Sequence, residues 1–192
     1  YFGVGAAWFE QEANGLGFPF PPTKVRFEWL EETLLLAHQM WSDDTRPFNG
    51  QHFQLAEPIC RPQPVSQPHP PIMIGGMGET KTLRFVAKYA DACNLFARVG
   101  NDVLKHKLEV LEGHCEAVGR PYSDIEKTAL TSAFLGVEKA EYNRTAAEIV
   151  ETCRSLAELG IDQVIFNMPF NVHEITPLET FGREIVPIVA DF

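Results

Sequence analysis

The chain has 192 residues, 45% of them hydrophobic and 22% charged, with 16 basic against 26 acidic side chains and a net charge of -10. This composition fits a packed globular domain and excludes a disordered segment, while the negative balance repels nucleic-acid backbones and anionic membrane surfaces, so that a phosphate must be held at a local site. No apolar run approaches the roughly eighteen residues of a membrane span, and the first residues lack the pattern of a signal peptide, which predicts a cytoplasmic protein with neither nucleic acid nor membrane as partner.

The sequence opens on Tyr1-Phe2-Gly3-Val4-Gly5, an apolar strand already under way, so further chain is expected upstream of it. A loop rich in Gly and Pro follows from Asn14 to Pro22. Phe27, Leu30, Leu34, Ala37 and Trp41 recur at helical spacing and predict an amphipathic helix over about Arg26 to Trp41. From Ser42 to Pro71 prolines at 58, 62, 64, 68, 70 and 71 exclude a helix or a central strand. That segment, 42–71, reads as an extended insertion with a small hairpin turning at Asn49-Gly50.

Regular alternation then sets in. Ile72-Met73-Ile74 is a short strand ended by Gly75-Gly76, and Glu79 to Ala90 a helix. Asp91 to Ala97 is a strand, Asp102 to Val118 a helix closed by Gly119, and Thr128 to Val137 the next strand. Thr145-Ala146-Ala147-Glu148 is a capping box that opens a helix ending at Gly160. Ile161 to Met168 is the last strand, and Thr176 to Ala190 a helix that must break or restart near Pro187.

Apolar strands separated by amphipathic helices imply an α/β fold with parallel strands. Five such units fit an open doubly wound sheet or the second part of a (β/α)₈ barrel, which needs about 250 residues and eight strands. The four cysteines, Cys60, Cys93, Cys115 and Cys153, form no CxxC pair and read as free thiols. No two histidines share a helix face at ligand spacing, so no metal is assigned. No Gly-x-Ser-x-Gly elbow is present, and acyl transfer has no support.

The sharpest local signal is Ile72-Met73-Ile74-Gly75-Gly76-Met77-Gly78-Glu79, a strand running into glycines and then a helix. In a parallel α/β protein the C-terminal strand ends form the functional face, and backbone N–H groups there can hold a phosphate. The plainer reading is a tight turn that needs positive φ. Gly3-Val4-Gly5-Ala6-Ala7-Trp8 likewise leaves backbone bare at a strand end, where a flat ring could lie with Trp8 as a wall; alternatively the small residues only let the loop pack. Glu10 and Glu12 could orient a ligand, and His173 is the one histidine placed on the functional face.

The runs Gly3 to Glu10, Arg26 with Leu30-Glu31-Glu32, Trp41, Phe48-Asn49-Gly50, Pro70 to Gly76, Leu83 to Ala87 and Tyr89-Ala90-Asp91 together resemble the luciferase-like oxidoreductases, especially the branch that depends on coenzyme F420. The likeness spans most of the chain, and its specificity lies in the order and spacing of runs that are individually weak. It implies a TIM-like barrel, of which residues 1–192 form the C-terminal portion, lacking the N-terminal strands, with 42–71 as an insertion. It also implies a cofactor at the barrel mouth, its ring near Gly5, Ala6 and Trp8 and its phosphate side near Ile74, Gly75, Gly76, Met77 and Gly78. FMN-binding members commonly carry serines after the matching glycine; here Met77 and Gly78 stand there, which tilts the expectation to the deazaflavin, with FMN as the alternative. Sugar-phosphate-oxidising relatives carry a glutamate where this chain has Ala6-Ala7, so their substrate is not carried over.

The resemblance therefore implies hydride transfer between a deazaflavin and a small organic substrate, with catalytic residues unassigned and a second copy of the chain as candidate partner. The rivals are an FMN-dependent monooxygenase, a non-catalytic half-barrel module and a doubly wound phosphate-binding domain. The cofactor reading expects the backbone N–H groups around Gly76 to Gly78 to open onto a concave surface at the mouth, and the doubly wound alternative expects an open sheet with free edges.

Overall fold

The computed structural model describes residues 1–137, 143 and 145–192. Five strands, β1 (Phe2–Val4), β4 (Ile72–Gly75), β5 (Ala92–Phe96), β6 (Glu126–Ser132) and β7 (Gln163–Asn167), pair in parallel in the order β1-β4-β5-β6-β7. A separate antiparallel pair, β2 (Phe48–Asn49) with β3 (Gln54–Leu55), is the expected hairpin in the insertion, its turn running from Gly50 to Phe53. Within the main sheet each strand lies beside the one that precedes it in the chain. A doubly wound sheet reverses its strand order at a switch point; this one never does, so the open-sheet alternative is overturned and the fold is that of a partial (β/α)₈ barrel.

Helices α1 (Glu10–Gly15), α2 (Thr23–Trp41), α3 (Thr82–Tyr89), α4 (Asn101–Val118) and α5 (Ala146–Glu158) connect the strands, and α6 (Thr176–Thr180) and α7 (Val186–Val189) close the chain. Side chains alternate across the strands. Ile72, Ile74, Cys93, Leu95 and Ala129 point to the helix layer, where they form one buried core with Leu30 and Leu34 of α2, Leu83 and Val86 of α3, and Leu104 and Leu111 of α4. Each fully buried Leu or Ile there contributes roughly 2 kcal/mol. By the same register Gly3, Met73, Gly75, Asn94, Phe96, Thr128, Leu130 and Ser132 share the opposite, barrel-interior face. At the N-terminal end of that face the Tyr1 hydroxyl donates to Glu126 on β6.

Several boundaries differ from the sequence expectation for physical reasons. β6 begins at Glu126 rather than Thr128, because the polar Glu126 and Lys127 still find partners in Ala92 and Cys93 of β5. It ends at Ser132, after which Gly136, at φ +67, turns the chain outward. α2 starts at Thr23, one residue after Pro22 stops backward extension, and a short α1 over Glu10–Gly15 runs into the first two residues of the segment read as loop. The break foreseen near Pro187 takes the form of a wide turn over Phe181–Ile185, inserted before the proline that cannot donate. The Thr145–Glu148 capping box forms as read. Cys93, Cys115 and Cys153 are buried free thiols, as read, with Cys60 half-buried, and burial pushes the Cys93 thiol up to about 11.

The hairpin of the insertion is held to α2 chiefly by the Glu32 carboxylate. Glu32 accepts the N–H groups of Gln51 (2.7 Å), His52 (3.0 Å) and Phe53 (2.9 Å), and His52 reaches Glu28 at 3.0 Å. Gly50 is required beside it, since a Cβ there would lie 2.3 Å from Glu32 Oε2. Burial alone pushes the Glu32 carboxyl up, but the three donors outweigh it and hold the group below the usual carboxylate range.

Glu32→Gln is expected to cost about 1–3 kcal/mol in urea denaturation by removing charge from three hydrogen bonds, and Gly50→Ala to act in the same direction by displacing the carboxylate. With the folded pKa depressed, the Glu32 contribution is present above the unfolded value of about 4.3 and lost as pH falls through the folded one. Acid titration of stability should therefore be flatter in Glu32→Gln than in the wild type.

Among the described residues β1 pairs only with β4, and β7 only with β6, so each presents one row of unpaired backbone groups. The 192-residue chain by itself is expected to associate with rising concentration in light scattering; a monodisperse monomer at all concentrations contradicts the open edges.

Candidate cofactor and substrate site at the mouth of the sheet

Because all five strands are parallel, their C-terminal ends lie on one side of the sheet. β1 leaves the sheet through Gly5 and Ala6, and Ala7 then adopts φ +55, an uncommon conformation for a residue with a Cβ. Arg26 of α2 holds that bend. Its Nη1 donates to the carbonyls of Ala6 (2.9 Å) and Ala7, Nε to Pro21 (3.1 Å) and Nη2 to Thr23 Oγ1 (3.0 Å), while the guanidinium lies 4.1 Å over the Phe20 ring. The sequence marked Arg26 only as a landmark; nothing in its spacing shows that it grips a loop twenty residues away. Trp8 beyond the bend is 84% exposed and stacks on Phe9 at 5.2 Å, so it stands clear of the strand ends instead of walling them.

β4 ends beside β1, and Gly5 and Gly75 are neighbours: a Cβ on Gly5 would lie 3.5 Å from the Gly75 carbonyl oxygen. A Cβ on Gly75 or Gly3 would meet nothing within 4 Å. These three positions make a strip of bare backbone with open space above it, of the shape a flat ring needs. The turn behind it is built differently from the sequence expectation. Gly76 takes φ +122 and its N–H is spent on the Asn94 carbonyl (3.0 Å). Gly78 leaves room for the buried Thr82, whose Oγ1 would stand 2.9 Å from a Cβ there. So the plainer reading holds for Gly76 and Gly78, while the N–H groups of Met77 and Gly78 make no hydrogen bond to the described residues.

The remaining candidates divide. Ile74 is fully buried against the helices, and its side chain cannot reach the mouth. The Met77 thioether accepts the N–H of Phe96 at 3.4 Å, tying the turn to β5. Glu10 and Glu12 lie exposed in the first turn of α1, and His173 is exposed in the loop after β7. Glu79 pairs with Lys107 and His106 on the outer surface; its hydrogen bond to Lys107 is the main cause holding its carboxyl below the usual range. Among the described residues no three His, Cys, Asp or Glu side chains gather as metal ligands, and no helix is long and apolar enough to cross a membrane.

A further concavity was not foreseen. A cleft of about 910 Å³ opens over the ends of β5, β6 and β7, between the start of α4 and the length of α5 from Glu148 to Leu156. Phe96, Leu130 and Phe134 give it apolar walls, and Arg98, Ser132 and Asn167 polar ones. The available signal was polar residues at the ends of apolar strands, Ser132 two residues after Leu130 and Asn167 after Phe166, but which face they occupy depends on the pairing.

A helix-covered parallel sheet of unreversed order, with a bare strip and a cleft at the C-terminal strand ends, is the architecture of part of a (β/α)₈ barrel. The sequence model of the family described as luciferase-like monooxygenase matches residues 1–176, and the chain belongs to that family. It is 28% identical over 161 residues to an F420-dependent glucose-6-phosphate dehydrogenase of Kineococcus radiotolerans, covering 83% of this chain and 44% of that one. It is 29% identical over 73 residues to an FMNH(2)-dependent dimethylsulfone monooxygenase of Pseudomonas putida, covering 38% and 20%. The chain thus spans less than half the length of these relatives. Among solved structures, an F420-dependent secondary alcohol dehydrogenase in complex with an F420-acetone adduct superposes with a TM-score of 0.79 at 17% identity, covering 97% of this chain and 68% of that one. The family holds both F420-dependent and FMN-dependent oxidoreductases.

Two glycines separate local strain from open space. Gly76→Ala is expected to cost about 1–3 kcal/mol in thermal denaturation, because it forces an L side chain into positive φ against Thr82. Gly75→Ala is expected to stay within about 0.5 kcal/mol of the wild type.

Proposed function

We propose that the protein is an F420-dependent oxidoreductase that transfers hydride between the deazaflavin and a small organic substrate. The observation that carries the choice of cofactor is the extent of likeness. The F420-dependent relative matches across most of the chain, whereas the FMNH(2)-dependent one matches over less than half as many residues. The turn after β4 agrees, for Met77 and Gly78, which directly follow the two glycines, carry no hydroxyl.

The residues present fit such a group. Gly3, Gly5 and Gly75 leave the strip on which a ring can lie, and the free N–H groups of Met77 and Gly78 lie in the turn between β4 and α3, where backbone donors can meet an anion. The bound cofactor supplies the hydride chemistry. The chain orients the two reactants: Arg26 fixes the bend under one end of the strip, and the cleft over β5 to β7 receives the substrate and excludes water from it. The sugar phosphate of the Kineococcus relative is not carried over.

The test is fluorescence titration of the full-length protein with F420 and, separately, with FMN. F420 should bind at least about tenfold more tightly. Tighter binding of FMN, with oxygen-dependent turnover, makes the protein a monooxygenase of the same family, and binding of neither leaves a non-catalytic module. Gly75→Val, which fills the strip without straining the backbone, should weaken binding by about tenfold or more while leaving the melting temperature nearly unchanged.

A further inference from the structure

Asn94 stands apart from the other residues of its strand. It lies in the middle of β5, between Cys93 and Leu95, both buried in the helix-facing core, so its own side chain projects to the barrel interior. Parallel pairing sets it directly beside Gly75 on one side and Thr128 on the other. Gly75 has no side chain, and the space above it is open. The carboxamide of Asn94 therefore borders the bare strip with nothing between.

One end of that carboxamide is anchored. Thr128, fully buried, shares its one hydroxyl hydrogen between the Cys93 carbonyl at 2.8 Å and Asn94 Oδ1 at 3.2 Å. The backbone carbonyl of Asn94 accepts the N–H of Gly76. The side chain is thus fixed at its oxygen, while Nδ2 has no partner among the described residues. Two donor hydrogens on a half-buried amide, facing open space beside a ring-shaped recess, are an unusual arrangement for a residue with only a structural role.

We infer that Asn94 binds and orients the cofactor ring, its Nδ2 donating a hydrogen bond to a carbonyl oxygen on the ring edge, with Thr128 as the positioning residue behind it. This rests on the reading of the mouth as a cofactor site, but not on which cofactor it is. Deazaflavin and flavin rings both carry a pyrimidinedione edge with two carbonyl oxygens, and a donor fixed at its other end selects one orientation of that edge.

The experiment is titration of wild type, Asn94→Leu, Asn94→Asp and Thr128→Val with F420 and with FMN, followed by fluorescence, with cofactor-free melting temperatures beside it. Asn94→Leu should bind whichever cofactor the wild type holds about tenfold more weakly, at an unchanged melting temperature. Asn94→Asp keeps the anchor to Thr128 but turns a negative acceptor toward the ring carbonyl, so it should lose at least as much. Thr128→Val should lose less, since it frees the amide without removing it. Should Asn94→Leu fold poorly, Asn94→Ser, too short to reach the ring, takes its place with the same expected loss. Wild-type binding with Asn94→Leu within about twofold of it overturns the inference and leaves the proposed function standing. Tolerance of Asn94→Asp overturns the donor role, and a wild type that binds neither cofactor removes both readings together.

Discussion

The parallel register of β4 against β5 sets where every other feature of the mouth falls. It is pinned at both ends: Asp91 Oδ2 accepts the N–H of Ile72 (2.8 Å) where the strands begin, and the Asn94 carbonyl accepts the N–H of Gly76 (3.0 Å) where β4 ends. Slipping this pairing by one residue would turn Ile72 and Ile74 out of the core and Met73 into it. With the register held, Gly75 faces the interior beside Asn94, and Gly5 comes to rest against Gly75 one strand further on. The same carbonyl that stabilises the register consumes a backbone donor that would otherwise have faced a ligand.

The two faces of the sheet solve different problems. Toward the helices the strands bury Ile, Leu, Cys and Ala among the apolar stripes of α2, α3 and α4, and that contact supplies most of the cohesion. Toward the interior they carry Met73, Asn94, Thr128, Leu130 and Ser132, a mixture too polar for a core of that kind and suited to a lined cavity. An interior so composed gives up packing energy to keep hydrogen-bonding groups at fixed places, which is what a site for a flat heterocycle and a small substrate requires.

The insertion between α2 and β4 is too rich in proline to stabilise itself through backbone pairing beyond one short hairpin. It depends on side chains of α2, chiefly Glu32 under the hairpin turn, and on a second contact near its end, where His69 stacks on Trp41 at 5.5 Å and meets His38 edge-on at 4.9 Å. Burial and the neighbouring His69 both push the His38 imidazole toward its neutral form. α2 thus works on three sides, supplying Leu30 and Leu34 to the core, Arg26 to the mouth and Glu32 to the insertion.

Much of this was legible in the residues themselves. Hydrophobic periodicity located every main strand and the long helices, because burial against a partner layer leaves a mark at each turn of a helix or each second residue of a strand. Proline density delimited the insertion, and Thr145 with Glu148 announced a helix start, since both are local constraints. The glycines at 5 and 75 to 78 marked the right strand ends, but the residues could not say which glycine answers to strain and which to open space: Gly76 and Gly78 serve the turn and Thr82, and Gly75 alone of that run faces the strip. Nor could they reveal Arg26 at the Ala6 and Ala7 carbonyls, the cleft over β5 to β7, or Asn94 beside Gly75. These are relations between segments distant in the chain, fixed by strand pairing and helix packing, and no local pattern encodes the partner across such a distance.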